Sequence, residues 1–208
     1  MSRAVHLCAL AYEHTEINAR NEFLAYRDQL TGLGNRRSFD TALAEHAAAG
    51  KPFGLLLVDI DNLKIVNDSL GHACGDVLIN AVAEKLRDLC EDSCAFRMGG
   101  DEFAVLIDGR RSARQLHDYG RALCDSIRAQ YLISGLEFSV SASVGFVRSD
   151  MSEHDEVALI ERADFAMFRA KANGSGTVIF TPRLEEDMQQ IGRIEQALRI
   201  SDKEEEMS

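Results

Sequence analysis

The sequence has no apolar run long enough to cross a bilayer. Its longest, residues 7–12 and 53–58, stop far short of the roughly 20 residues that a helical span requires. It has no excess of basic residues either: Lys and Arg total 23 against 34 Asp and Glu, a net charge of −11. A duplex DNA or RNA binder needs a basic face to neutralise phosphates, and adsorption to anionic lipid needs one too, so neither a nucleic-acid polymer nor a membrane is expected as partner. A nucleotide stays admissible, because carboxylates hold phosphates through a bridging divalent cation. No charged segment followed by an apolar stretch and a cleavage site opens the chain, so no secretory signal is expected. There is no CxxC pair. The five cysteines (Cys8, Cys74, Cys90, Cys94 and Cys124) are scattered; the Cys90–Cys94 spacing is loose for a structural zinc site and no second pair follows, so they read as reduced, small apolar residues. No internal repeat is present. What remains is 208 residues, 46% hydrophobic and 27% charged, the composition of one folded domain with helical extensions. A cytoplasmic, acidic, single-domain protein is expected.

Residues 1–27 lack Gly and Pro and read as a helix, with Leu10, Ile17 and Leu24 at seven-residue spacing. Polar residues such as Glu13, Arg20 and Arg27 fill the positions that should complete a coiled-coil seam, so this helix reads either as a device pairing two protomers or as a solvated lead-in. Asn35 then caps a helix carrying Phe39, Leu43 and Ala47 at four-residue spacing. The run FGLLLVDI (residues 53–60) has no helical period and reads as a buried central strand. A loop is expected through Gly71, followed by a helix over residues 72–90. Two short strands, 94–98 and 103–108, flank Gly99, Gly100, Asp101 and Glu102, which predicts a β-hairpin. Leu116, Gly120, Leu123, Ile127 and Tyr131 mark a further helix. Residues 138–147 alternate as a strand, residues 154–172 form a helix, 177–180 a last strand, and 183–200 an amphipathic helix before an acidic tail. Strands and helices alternating irregularly, with a hairpin among them, predict an α+β sheet with helical cover and not a purely parallel Rossmann fold.

Two acidic clusters sit where strands end. Asp59 and Asp61 close the apolar strand on one face, and Asp101 and Glu102 lie in the hairpin loop. A carboxylate at the end of a buried strand loses solvation, and a second one nearby makes that worse, unless a cation lies between them. Hard oxygen ligands with open positions suit Mg²⁺, which completes its shell with water and substrate phosphates. Gly99 and Gly100 permit positive φ and leave backbone amides bare for a phosphate. On spacing alone, a plain hairpin turn and a solvated strand end account for the same residues, and both readings stay open at this level.

The segment FRMGGDEF (residues 96–103) resembles the signature of the GGDEF family, the diguanylate cyclases that make cyclic di-GMP from two GTP molecules. The resemblance extends to DQLTGLGNRR (28–37), VDIDNLKIVNDSLGHACGD (58–76), SVSASVG (139–145) and ADFAMFRAKANG (163–174), in the family's order and spacing. It implies three parts: residues 1–27 as an N-terminal helix for linkage or dimerisation, 28–182 as the cyclase domain, and 183–208 as a C-terminal helix and acidic tail. It implies a nucleotide-cyclase or polymerase-palm-like central sheet flanked by helices, with the hairpin carrying the GGDEF loop. It further implies that Asp59, the Ile60 carbonyl and Asp101 bind Mg²⁺ (or Mn²⁺), with Glu102 beside them, and that Asp101 takes the proton of the attacking 3′-hydroxyl. Asn67 and Asp76 match positions reading the guanine edge, with His72 close by in the same substrate segment. A carboxylate there accepts from guanine N1–H and N2–H, a donor pair that adenine lacks. Lys64 and Lys171 match positions facing the phosphates. The resemblance also implies a homodimer, each protomer holding one GTP, with catalysis where the two face each other.

Two departures stand out. Many family members carry an RxxD product-inhibition site just before the hairpin; here that window reads Cys90, Glu91, Asp92, Ser93, which predicts no feedback by cyclic di-GMP. After Lys171 the family continues with Gly-Arg-Asn, whereas this chain has Gly174, Ser175, Gly176. The missing guanidinium predicts weaker GTP binding.

Overall fold

The structure, a computed structural model, describes residues 25–90, 94–108, 112–133, 135–149, 155–174 and 176–206. The expected N-terminal helix lies outside them except for its last few positions, and so does Ser175. Strand β1 (Phe53–Asp61) is the spine of the sheet. It pairs antiparallel with β3 (Glu102–Asp108) along one edge and with β5 (Leu136–Ser149) along the other. Strand β2 (Ala95–Gly99) lies outside β3, and β4 (Ala129–Ile133) pairs with the first residues of β5. The order is β2-β3-β1-β5-β4. A sixth strand, β6 (Gly176–Ile179), runs parallel to β5 along its Ser143 to Phe146 stretch. A mostly antiparallel sheet with a hairpin is the α+β arrangement the sequence predicts.

Helices cover both faces, which is why β1 is apolar without alternation. On one face α1 (Arg36–Ala48) and α5 (Glu156–Ala172) bury Phe39, Leu43, Leu159, Ala163 and Met167 against Phe53, Leu55, Leu57 and Leu106. On the other, α3 (His72–Leu89) and α4 (Ala113–Ile127) bury Leu78, Val82, Leu86, Leu123 and Ile127 against Leu56, Val58, Ile60, Phe103 and Val105. Side chains of this size contribute roughly 1.5–3 kcal/mol each when fully buried. Local signals set the helix starts. The Asn35 side chain accepts the Ser38 N–H at 3.0 Å; Ser112 and Gln115 form a reciprocal capping box; Asp155 accepts from the amides of Val157 and Ala158.

The helix α5 lies unusually close to the sheet. A Cβ on Gly145 would fall 2.0 Å from the Ala163 carbonyl oxygen and 2.3 Å from the Met167 nitrogen, so only glycine permits this contact. The C-terminal helix α6 (Pro182–Glu206) is tied to α5 by the Arg162–Glu185 and Arg169–Asp187 ion pairs, at 3.1 and 3.5 Å.

Three expectations need correction. The stretch read as loop before Gly71 contains a helix, α2 (Leu63–Leu70). Helix α4 ends at Ile127, and Tyr131, read as its last turn, belongs to β4; the ring folds back so that its hydroxyl donates to the Ile127 carbonyl at 3.1 Å. The hairpin strands also run further into the loop than expected, through Gly99 and from Glu102. No disulfide joins Cys74, Cys90, Cys94 and Cys124, as their scattered placement predicts.

Candidate active site

Asp59 sits at the point where β1 leaves the core, paired in register with Glu102 of β3 and Ser143 of β5. Its side chain is only 6% exposed, and the Lys171 ammonium, carried by the last turn of α5, lies 2.8 Å from Oδ1. That oxygen is fully buried and has no other partner among the described residues, so it depends on this ion pair. Burial raises the Asp59 pKa; the Asp101 and Asp61 carboxylates push it the same way, and Lys171 only partly offsets them. For Lys171 burial acts downward, but the bond to Asp59 and the charges of Asp59, Asp101 and Asp61 outweigh it, and its pKa is raised. Asp61, two residues along the same strand, is committed elsewhere. Ser141 Oγ donates to its Oδ2 at 2.7 Å and Ser143 Oγ to its Oδ1 at 2.8 Å. Two hydroxyls of the alternating 138–147 strand thus fix an acid.

Asp101 reaches the same place from the hairpin. Gly99 and Gly100 adopt φ of 139° and 55°, a conformation available to glycine at little cost, and the turn brings the Asp101 carbonyl to accept the Ile60 N–H at 3.1 Å. The Asp101 charge from this turn adds to the burial that raises the Asp59 pKa. Glu102 is exposed and lines a cavity of about 150 Å³ with Arg36, Met98 and Asp164.

One side chain ties this loop to the start of the domain. The Arg97 guanidinium donates to the Gly100 carbonyl through Nη2 at 2.8 Å and Nε at 3.2 Å, and through Nη1 to both Asp28 oxygens at 3.2 and 3.3 Å. Asp28 also accepts from Thr31 N and Oγ1 at 2.8 and 2.7 Å. Burial raises the Asp28 pKa, but the Thr31 and Arg97 bonds overcome that and hold it below the ordinary carboxylate value. The stabilisation is therefore present above the unfolded pKa of about 3.9 and is lost as pH falls through the folded value. Asp28→Asn should lower the melting temperature at pH 7 and flatten its decline between about pH 5 and 2; parallel curves for variant and native chain would refute the assignment. The sequence motif marked Asp28 but not this tie, since its partner Arg97 lies on β2, far along the chain.

A second group forms where α2 meets α3. The Asn67 Oδ1 is buried without a hydrogen-bond partner and lies over Gly75, where a Cβ would stand 2.0 Å from it. His72 opens α3 and Asp76 lies one turn on, both exposed, as is Lys64 in the first turn of α2. Gly71, at φ 85°, makes the joint between the two helices. The structure thus gathers Asn67, His72 and Asp76 at one helix junction, and Asp59, Asp101 and Lys171 at the strand end that leads into it.

Among the described residues no three His, Cys, Asp or Glu side chains form a closed metal cage. A buried carboxylate whose partner is a cation, with a second acid on the adjoining glycine turn, instead suits a hard cation that keeps open positions for phosphate.

The antiparallel sheet, its two helical layers and the acidic strand end with its glycine hairpin define a palm-like nucleotide-cyclase fold. The chain belongs to the GGDEF family: the family model described as "Diguanylate cyclase, GGDEF domain" matches residues 25–177. It is 37% identical over 156 residues to the diguanylate cyclase VdcA of Vibrio cholerae, covering 73% of this chain and 46% of that protein. It is 35% identical over 179 residues to the cyclic di-GMP phosphodiesterase PdeR of Escherichia coli, covering 84% of this chain and 27% of that one. Among solved structures it resembles the coiled coil and GGDEF domain of DgcB from Caulobacter crescentus in complex with c-di-GMP, with a TM-score of 0.77 at 26% identity, covering 85% and 97% of the two chains. The chain spans between about a quarter and a half of the length of these curated relatives. No helix among the described residues is long and apolar enough to cross a membrane.

Proposed function

We propose that this chain is a diguanylate cyclase that condenses two GTP into cyclic di-GMP and pyrophosphate, acting as a homodimer in the cytoplasm. The observation that carries the reading is the buried Asp59 carboxylate, paired with Lys171 and lying where the Asp101 charge raises its pKa further. A buried acid with a second acid against it is costly as architecture alone, and phosphoryl chemistry gives the cost a use.

In this reading the O3′ of one GTP attacks the α-phosphorus of the other in line. A new O3′–Pα bond forms, the bond from Pα to the bridging oxygen breaks, and pyrophosphate leaves with the electron pair. A second such step closes the ring. Asp101 accepts the hydroxyl proton, while Lys64 and Lys171 face the phosphates and offset their charge. Asn67, His72 and Asp76 hold the base, with Asp76 accepting from guanine N1–H and N2–H. Gly99 and Gly100 let phosphate oxygens approach the backbone. Asp59, the Ile60 carbonyl and Asp101, with Glu102 beside them, would hold Mg²⁺ or Mn²⁺. When bound, such an ion supplies charge neutralisation and a lowered hydroxyl pKa. Each protomer presents one GTP, so two must meet about a two-fold axis for in-line geometry.

The direct test incubates the purified chain with GTP and Mg²⁺ and follows cyclic di-GMP and pyrophosphate. Supplying cyclic di-GMP alone tests the opposite activity named for PdeR. Product formation from GTP supports the reading; hydrolysis of cyclic di-GMP without synthesis overturns it.

Two finer expectations accompany it. Gly75→Ala should drive a methyl into the Asn67 amide and weaken GTP binding about tenfold, the scale of one lost hydrogen bond, with kcat nearly kept. An unchanged KM would show that Asn67 does not read the base. Cyclic di-GMP added to the assay should leave the initial rate unaltered: at Cys90 a thiol, engaged by the Tyr119 hydroxyl at 2.8 Å, stands where the inhibitory site of the family has arginine. Inhibition relieved by Cys90→Ala would contradict this.

A further inference from the structure

We propose that Lys171 is a built-in counter-cation that competes with the divalent ion for Asp59, so that the ion is taken up together with the nucleotide and not ahead of it. The inference rests on the metal–nucleotide reading of the site and adds an order of events to it.

Four observations carry it. The ammonium is 2.8 Å from Oδ1 of a carboxylate whose side chain is 6% exposed, whereas the lysine side chain is 46% exposed. The acid is therefore fixed in the fold while its partner is free to swing on a solvated stem. Oδ1 has no other donor among the described residues, so this oxygen depends on whichever cation stands there. Asp61, the nearest acid along the strand, is held by Ser141 and Ser143, and the lysine is paired with Asp59 and not with it. Finally, Asp101 acts on both members of the pair, so an ion held by Asp59 and Asp101 would meet the ammonium at close range. A divalent ion on that oxygen and the ammonium would repel each other at close range. The incoming triphosphate solves the conflict, because it offers Lys171 a new anion at the moment the divalent ion needs the carboxylate.

The test measures Mn²⁺ binding to the full chain without nucleotide, from the electron paramagnetic resonance of the free aqueous ion. Lys171→Met should bind Mn²⁺ about tenfold more tightly than the native chain or better, the lower end of the scale on which a neighbouring opposite charge shifts a carboxylate's equilibrium with protons. Mn²⁺ should also raise the melting temperature of Lys171→Met more than that of the native chain. Adding a non-hydrolysable GTP analogue should narrow the difference. The double variant Asp59→Asn with Lys171→Met should lose the gain. Lys171→Gln, closer in shape to the lysine stem, repeats the measurement should the methionine variant fold poorly. Equal or weaker Mn²⁺ binding by both single variants would mean that lysine and metal use different oxygens, and would overturn the proposal. So would a gain that survives loss of Asp59. Because the readout is metal binding without GTP turnover, its failure is distinct from a failure to make cyclic di-GMP.

Discussion

Asp101→Asn is expected to fold as the native chain does and to make cyclic di-GMP about 10²- to 10⁴-fold more slowly, the range that a positioned proton acceptor contributes. The change is nearly isosteric and leaves the main-chain carbonyl that accepts the Ile60 N–H untouched. The carboxylate also contributes to the raised pKa of Asp59, so its removal relieves a repulsion and should not lower the melting temperature. Slow chemistry with an intact melting curve is therefore the signature, read from initial pyrophosphate release at saturating GTP. A loss below about tenfold would remove Asp101 from the role of proton acceptor.

Gly145→Ala should have the largest effect on stability. The added methyl would meet main-chain atoms of α5, not the end of a flexible side chain, and Ala163 and Met167 cannot step aside singly. The whole helix has to lift from the sheet, which uncovers Leu57 and Met167 and withdraws Lys171 from Asp59. Overpacking of this kind costs typically 1–3 kcal/mol, and with backbone as the obstacle about 3 kcal/mol or more is expected. Chemical denaturation would register it as a lowered midpoint, accompanied by loss of cyclase activity. A midpoint within about 0.5 kcal/mol of the native chain would show that α5 is not seated by this contact.

Much of this was legible in the residues alone, where a local rule decides. Asn35 caps because its side chain reaches an amide three residues on, and β1 is apolar on both faces because both are covered. The acids at the end of β1 and in the hairpin could be picked out because charge at a buried strand end is conspicuous. Helix α2 escaped notice for a physical reason. Its first flanking residue, Asn62, sits in the left-handed region at φ 63° and makes no side-chain cap, so nothing local announces a start. Tyr131 misled because its four-residue spacing from Ile127 imitates a helix, while the ring bends back across a chain that has already turned. The pairing of Lys171 with Asp59, the serines on Asp61 and the Arg97 tie to Asp28 all join residues far apart in the chain. No periodicity reports such meetings; they come from the sheet order.

The crossing of α5 over Gly145 also sets a rule for length variation. An α-helix turns about 100° per residue, so one residue inserted or deleted between Met167 and Lys171 would carry the ammonium around the axis and away from the strand end. The same slip would shift where the chain rejoins β5 through β6. A one-residue insertion within this last turn of α5 is therefore expected to part Lys171 from Asp59, whereas one ahead of Asp155 leaves the pair in register.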